Sequence, residues 1–118
     1  MSLADQHCQA CEGGVEPMDS ETAERHLAEL NGEAPAQQTP WAITADGRTL
    51  KKGYKLKDFD QAVAMVNRIR DLAEAENHHP DLDVGYGRVV VRLSTHAIGG
   101  LSLNDFILAA QIDARGAP

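Results

Sequence analysis

Aromatic residues are scarce in this chain: they make up 4% of it, and Trp41 is its one tryptophan. The core must therefore come mostly from Leu, Val, Ile and Ala, within a hydrophobic content of 42%. No apolar run approaches the ~20 residues that span a bilayer as a helix. Met1 to Ala10 is polar and lacks the apolar centre of a secretory signal. The expectation is a soluble, cytoplasmic protein without membrane contact. Positive charge is also lacking, since the net charge is −7. An acidic chain repels phosphate backbones, which argues against a nucleic-acid partner. The nearest basic stretch, Lys51-Lys52 with Lys55 and Lys57, reads as the exposed side of a strand.

Cysteine is nearly absent. Cys8 and Cys11 stand in a Cys-x-x-Cys spacing beside His7, which resembles one half of a zinc ribbon, but the second half is missing. No strand precedes Cys8 to make a thioredoxin-type motif. The pair reads as reduced thiols in a loose lead-in. There is no nucleophile elbow, P-loop or dinucleotide fingerprint. Gly85-Tyr86-Gly87 turns a hairpin and does not open a helix, so it cradles no phosphate. Ser94 and Ser102 read as a strand residue and a cap. Phosphoryl and acyl transfer have little support.

A chain of 118 residues suits one domain and can bury roughly two-thirds of its unfolded surface. Residues 1–17 read as a flexible N-terminal segment and 18–118 as a single domain. Ser20 can cap a helix running to about Leu30, with Ala23, Leu27 and Leu30 on one side, and Asn31-Gly32 as its stop. Residues 33–40, with Pro35 and Pro40, read as a linker. Trp41–Ala45 and Leu50–Leu56 read as strands joined by the hairpin signal Asp46-Gly47.

Asp58 and Gln61 resemble a capping box that opens the strongest helix. Phe59, Ala62, Val63, Val66, Ile69 and Ala73 then recur at helical spacing, as a stripe facing a core or another subunit. That helix must end before Pro80. Leu82, Val84 and Tyr86 alternate, Gly87 turns the chain, and Val89, Val91 and Leu93 alternate again. Gly99-Gly100 breaks this second hairpin. Ser102 caps a last helix with Leu103, Phe106, Ile107 and Ala110 on one side. The order α-β-β-α-β-β-α predicts an α+β fold: a four-stranded antiparallel sheet with three helices packed on one face. The opposite face and the edges need charge or a partner, which makes oligomerisation plausible.

Three of the five histidines, His78, His79 and His96, concentrate around the second hairpin. His78 and His79 precede its first strand, and His96 follows its last. Pairing of the strands brings them to one end of the sheet. Asp105, in the first turn of the last helix, starts near the same end. Histidine titrates near neutral pH and can give and take protons. A neighbouring carboxylate can orient an imidazole or raise its pKa. The same set could bind zinc or another transition metal. It could also be structural, with Asp105 completing a Ser102-x-x-Asp105 box that stabilises the helix start.

The chain resembles the pterin-4a-carbinolamine dehydratase family. The resemblance rests on Glu74, three residues, His78-His79-Pro80, five residues, Tyr86, nine residues, His96, eight residues and Asp105. Trp41, Lys57-Asp58-Phe59, Leu93-Ser94-Thr95-His96 and Gly100-Leu101-Ser102 extend it over roughly residues 18–113. Asp81-Leu82 and Ala97-Ile98 depart from the family's common pattern.

The resemblance implies a dehydratase that expels water from 4a-hydroxytetrahydropterin, the carbinolamine left by aromatic amino-acid hydroxylases. The product is quinonoid dihydropterin, and neither metal nor cofactor is needed. It implies His78 and His96 as the proton-transfer pair, with His79 assisting and Pro80 shaping the loop. It implies substrate contacts from the backbone of Thr95, His96 and Ala97, with Glu74 and Asp105 orienting the histidines. It also implies a homodimer or homotetramer and a functional link to a hydroxylase. Two other readings stand beside it: a non-catalytic oligomeric interaction module, and a metal-binding protein using His78, His79 and His96.

Overall fold

The element order read from the sequence recurs in the computed structural model, which describes residues 2–9, 16–35 and 38–117. Helix α1 spans Ser20–Glu33, with Asp19 as its cap: the Asp19 carboxylate accepts the Thr22 N–H at 2.8 Å. The helix does not stop at Asn31-Gly32. The Asn31 side chain instead clamps Trp41, accepting its N–H at 2.9 Å and donating to its carbonyl at 3.1 Å. A tertiary contact thus overrides a local stop signal. It also shortens the first strand, because a residue whose backbone groups are already engaged cannot join a ladder. Strand β1 is only Ala42–Ile43. Ala45 lies in the following turn, which Gly47 closes at φ +74°, a left-handed backbone that glycine adopts without strain.

Strand β2 covers Leu50–Lys55 and alternates strictly, with Leu50, Lys52 and Tyr54 inward. Lys52 was expected on the exposed side with Lys51 and Lys55. It is instead buried, 2% exposed, because its position in the strand period points it into the core. Its charge is matched by Asp113 Oδ1 at 2.7 Å.

Helix α2 runs Phe59–Glu76. Asp58 accepts the Gln61 N–H at 2.9 Å, while the Gln61 side chain reaches back to the Lys57 N–H at 3.0 Å. Ala62, Met65, Ile69 and Ala73 are its buried residues. The stripe expected from the sequence is rotated by part of a turn: Phe59 is 51% and Val63 37% exposed.

Strands β3 (Asp81–Gly85) and β4 (Arg88–Leu93) form the second hairpin, with Asp81 opposite Arg92 and Gly85 opposite Arg88. Tyr86, 77% exposed, lies on the turn instead of ending the strand. The sheet order is β1-β2-β4-β3, antiparallel throughout, and the three helices pack on one face.

Helix α3 spans Leu103–Gln111 and runs on into a single π turn, Ile112–Gly116. Every residue from Asn104 to Ile112 is buried. One side chain that closes this helix off comes from the start of the chain. Residues Leu3–Asp5 form a 3-10 turn against α3, and Leu3 is 1% exposed within the core. Burying one leucine contributes about 1.5–3 kcal/mol. The loose lead-in expected over residues 1–17 is therefore packed over residues 2–9. Cys11 and Gly13-Gly14 lie outside the described residues.

Candidate active site

The site begins with the way α2 ends. Asn77 takes a left-handed conformation, φ 51°, and both its N–H and that of His78 donate to the Ala73 carbonyl. This Schellman-type closure reverses the chain within two residues. It turns His78 back toward α3, where its Nε2 lies 2.6 Å from Asp105 Oδ1. The next residue, His79, turns outward, with Nε2 2.9 Å from Glu74 Oε2.

On the other side, β4 ends at Leu93, and the isolated bridge between Thr95 and Gly100 closes a small loop. His96 opens a 3-10 turn inside that loop, which Gly99 ends at φ 69°. Thr95 faces inward, and its hydroxyl donates to Asp105 Oδ2 at 2.8 Å. The Ser102 N–H reaches the same oxygen at 3.0 Å, the capping interaction expected from Ser102-x-x-Asp105.

Asp105 is therefore both a cap and a histidine partner. Its side chain is fully buried, whereas that of His78 keeps 12% of its surface exposed. With Oδ2 taken by two donors, Oδ1 is the acceptor that faces the imidazole. The contact runs through His78 Nε2, so Nδ1 is the ring nitrogen that Asp105 does not engage.

A cavity of about 480 Å³ collects these groups. His78, His79, His96, Thr95 and Ala97 line it, together with Ser94. The topological expectation that His78, His79 and His96 meet at one end of the sheet thus holds in the structure. Asp105 sits beneath the cavity and reaches it through His78. Glu74 is exposed on α2, and among the described residues its contact with the site is through the exposed His79. Pro80 is half-buried between His79 and β3.

The cavity has a second wall that sequence reasoning missed: Cys8, Gln9, Glu76, Asn77 and Asn104. The Glu76 carboxylate accepts the Cys8 N–H at 2.6 Å and faces His7 Nδ1 at 2.7 Å. Burial pushes its pKa up, but the hydrogen bonds from Cys8, His7 and Gln111 outweigh this and hold it below its ordinary value. No sequence pattern links residue 8 to residue 76 or residue 9 to residue 104. The packing of Leu3, with the bonds from Gln111 to the Gln6 carbonyl and from Arg115 to the Ala4 carbonyl, brings these groups together.

Among the described residues, no three His, Cys, Asp or Glu side chains stand where they could hold a metal ion together. His78 and His79 each face a carboxylate of their own. Among the same residues, no helix is long and apolar enough to cross a membrane.

The fold and the cavity define a class: a small α+β protein with imidazoles and a buried carboxylate gathered at one end of an antiparallel sheet. Comparison with known proteins narrows it. The family model for pterin 4 alpha carbinolamine dehydratase matches residues 16–115. A relative from Halorhodospira halophila is 45% identical, over 99% of this chain and 100% of its own length. One from Legionella pneumophila is 43% identical, over 94% of this chain and 92% of its own. Both are provisionally named pterin-4-alpha-carbinolamine dehydratase.

A crystal structure described as a transcriptional coactivator/pterin dehydratase from Brucella melitensis superposes with a TM-score of 0.72 and 25% identity. That alignment covers 84% of this chain and 97% of the other. A pterin dehydratase-like protein described as a RuBisCO assembly factor in the alpha-carboxysome shares the fold, with a TM-score of 0.56 and 20% identity. Its alignment covers 69% of this chain and 93% of the other. The chain belongs to the pterin-4a-carbinolamine dehydratase family.

Proposed function

We propose that this protein removes water from 4a-hydroxytetrahydropterin and releases quinonoid dihydropterin, using histidines and no metal. The observation that carries this reading is His78, held on the buried Asp105 at 2.6 Å, in a cavity that His79 and His96 also line. The reaction breaks the C4a–OH bond. A proton goes to the departing hydroxyl, the N5 lone pair assists, and the N5 proton is lost, so carbinolamine becomes quinonoid dihydropterin plus water. One proton donor and one proton acceptor suffice, and each positioned transfer is worth about 10²–10⁴ in rate.

His78 and His96 serve as that pair, with His79 assisting. Asp105 orients His78, and Glu74 orients His79. Pro80 shapes the loop, and the backbone of Thr95, His96 and Ala97 meets the pterin ring. In the cell the carbinolamine would come from an aromatic amino-acid hydroxylase in the cytoplasm. Exposed Phe59 and Val63 on α2 support self-association as a dimer or tetramer.

The test is a direct assay of 4a-hydroxytetrahydropterin dehydration after treatment with a chelator. Activity should persist, and His78→Ala or His96→Ala should each lower turnover by at least ~10²-fold with the fold retained. No dehydration by the untreated protein would overturn the reading. So would loss in chelator restored by added metal, or full activity in both variants.

A further inference from the structure

The N-terminal wall of the cavity carries an inference of its own, which rests on the dehydratase reading. We infer that Gln9 is a substrate-binding residue of this site and takes the amide-like edge of the pterin's pyrimidine ring.

Gln9 is delivered with unusual care for a surface residue. Asn104 holds both of its backbone groups, accepting its N–H at 2.9 Å and donating to its carbonyl at 2.5 Å. The preceding residue is fixed in turn, with the Cys8 N–H on the Glu76 carboxylate at 2.6 Å. These two anchors adjoin the hydrogen-bonded pair His78 and Asp105. Glu76 is the last residue of α2, two positions before His78, and Asn104 directly precedes Asp105.

The side chain so delivered is itself exposed, and Gln9 lines the cavity alongside the three histidines. Among the described residues its amide takes part in no hydrogen bond, whereas its backbone is fully engaged. A primary amide presents one acceptor and two donors. The pyrimidine edge of a pterin presents a carbonyl, a ring N–H and an exocyclic amino group side by side. A glutamine amide can therefore pair with two neighbouring atoms of that edge. The imidazoles carry the proton chemistry, and an uncharged amide can bind the ring without competing for their protons. A contact made equally in ground and transition states affects substrate binding and leaves the chemical step unchanged.

The experiment compares wild type with Gln9→Ala and Asn104→Ala. It measures dehydration kinetics and, separately, the binding of 7,8-dihydropterin by fluorescence titration. Gln9→Ala should raise KM about thirty-fold, the worth of two ordinary hydrogen bonds, with kcat unchanged. The dissociation constant for 7,8-dihydropterin should rise in parallel. Asn104→Ala should act the same way, because it frees the segment that presents Gln9. Gln9 is exposed, so its variant should keep the wild-type unfolding midpoint and decides the matter alone if buried Asn104 proves essential for folding. An active wild type whose KM and dihydropterin affinity are untouched by Gln9→Ala would overturn this inference and spare the dehydratase reading. A lower kcat at constant KM would also overturn it. A wild type without dehydration activity would sink the underlying reading instead.

Discussion

Two aspartates with covered carboxylates stand on the same helical run, and their surroundings differ in one decisive respect. Asp105 lies in the first turn of α3, and Asp113 lies in the π turn that continues it. Among the described residues, each carboxylate is hydrogen-bonded by three different residues. Asp113 receives Lys52 Nζ at 2.7 Å, the Tyr54 hydroxyl at 2.5 Å and the Trp41 indole N–H at 2.9 Å. Asp105 receives Thr95, the Ser102 N–H and His78.

Among the described residues, the hydrogen-bond partners of Asp113 include no histidine. Lys52 lies 4.8 Å from the centre of the Tyr54 ring, and its side chain is fully buried. Burial, and then the Asp113 charge, push the Tyr54 hydroxyl far above its ordinary value, so it stays a donor. That cluster is a closed staple joining β2, the Trp41 corner and the end of α3. Around Asp105 one partner is an imidazole that can change charge and that borders a cavity. The same carboxylate chemistry thus makes a staple at one end of the helix and a device for proton handling at the other. The partner's titration and its access to solvent decide which.

The comparison can be broken in three ways. The largest expected effect is on stability. Lys52→Ala leaves Asp113 as an uncompensated buried charge and should cost about 3–5 kcal/mol, seen as a lower urea midpoint. Activity per folded molecule should stay unchanged; a selective loss of rate at full stability would mean that this cluster is not merely a staple.

Asp105→Asn is the converse. It should lower turnover about ten-fold, the loss expected when a proton-transfer group is no longer oriented, with a stability loss of only about 1 kcal/mol. If stability falls and rate does not, the two aspartates play the same role.

The smallest effect concerns Glu76, which anchors the segment carrying Cys8. Its folded pKa lies below the ordinary 4.5, so its contribution to stability is present above 4.5 and is lost as pH falls through the folded value. Glu76→Gln should therefore lower the thermal midpoint at neutral pH, and the gap to wild type should close in strong acid. An equal gap at every pH would mean that Glu76 acts by shape, not by charge.

What could be read from the sequence follows the range of the signals. The β3–β4 hairpin was legible because alternation and Gly87 are local, and the meeting of His78, His79 and His96 followed from it. The cap role of Asp105 was legible because Ser102 is close by in the chain. Lys52 was misread because a lysine run looks solvated, and its compensating charge comes from Asp113, far along the chain. The strand at Trp41 was read too long because Asn31, on another element, takes the backbone of Trp41. The N-terminal wall was invisible, since Leu3 is a single apolar residue in a polar stretch and sets no period. Tyr86 marks the family spacing, yet it sits on the exposed hairpin turn, and the histidine cavity is not lined by it.

The pairing of β3 with β4 has a consequence for what this domain can tolerate. His78 and His96 hang from opposite strands of one ladder, so their mutual position is a property of register. Inserting a single residue into either strand would shift one imidazole past the other by roughly 3.3 Å and turn the strand's inward side chains outward. The outward side chains along this hairpin are therefore open to exchange, while its buried Val89, Val91 and Leu93 and its length are not. Variation in loop size should collect elsewhere, such as the turn between β1 and β2, where an added residue moves nothing that the cavity needs.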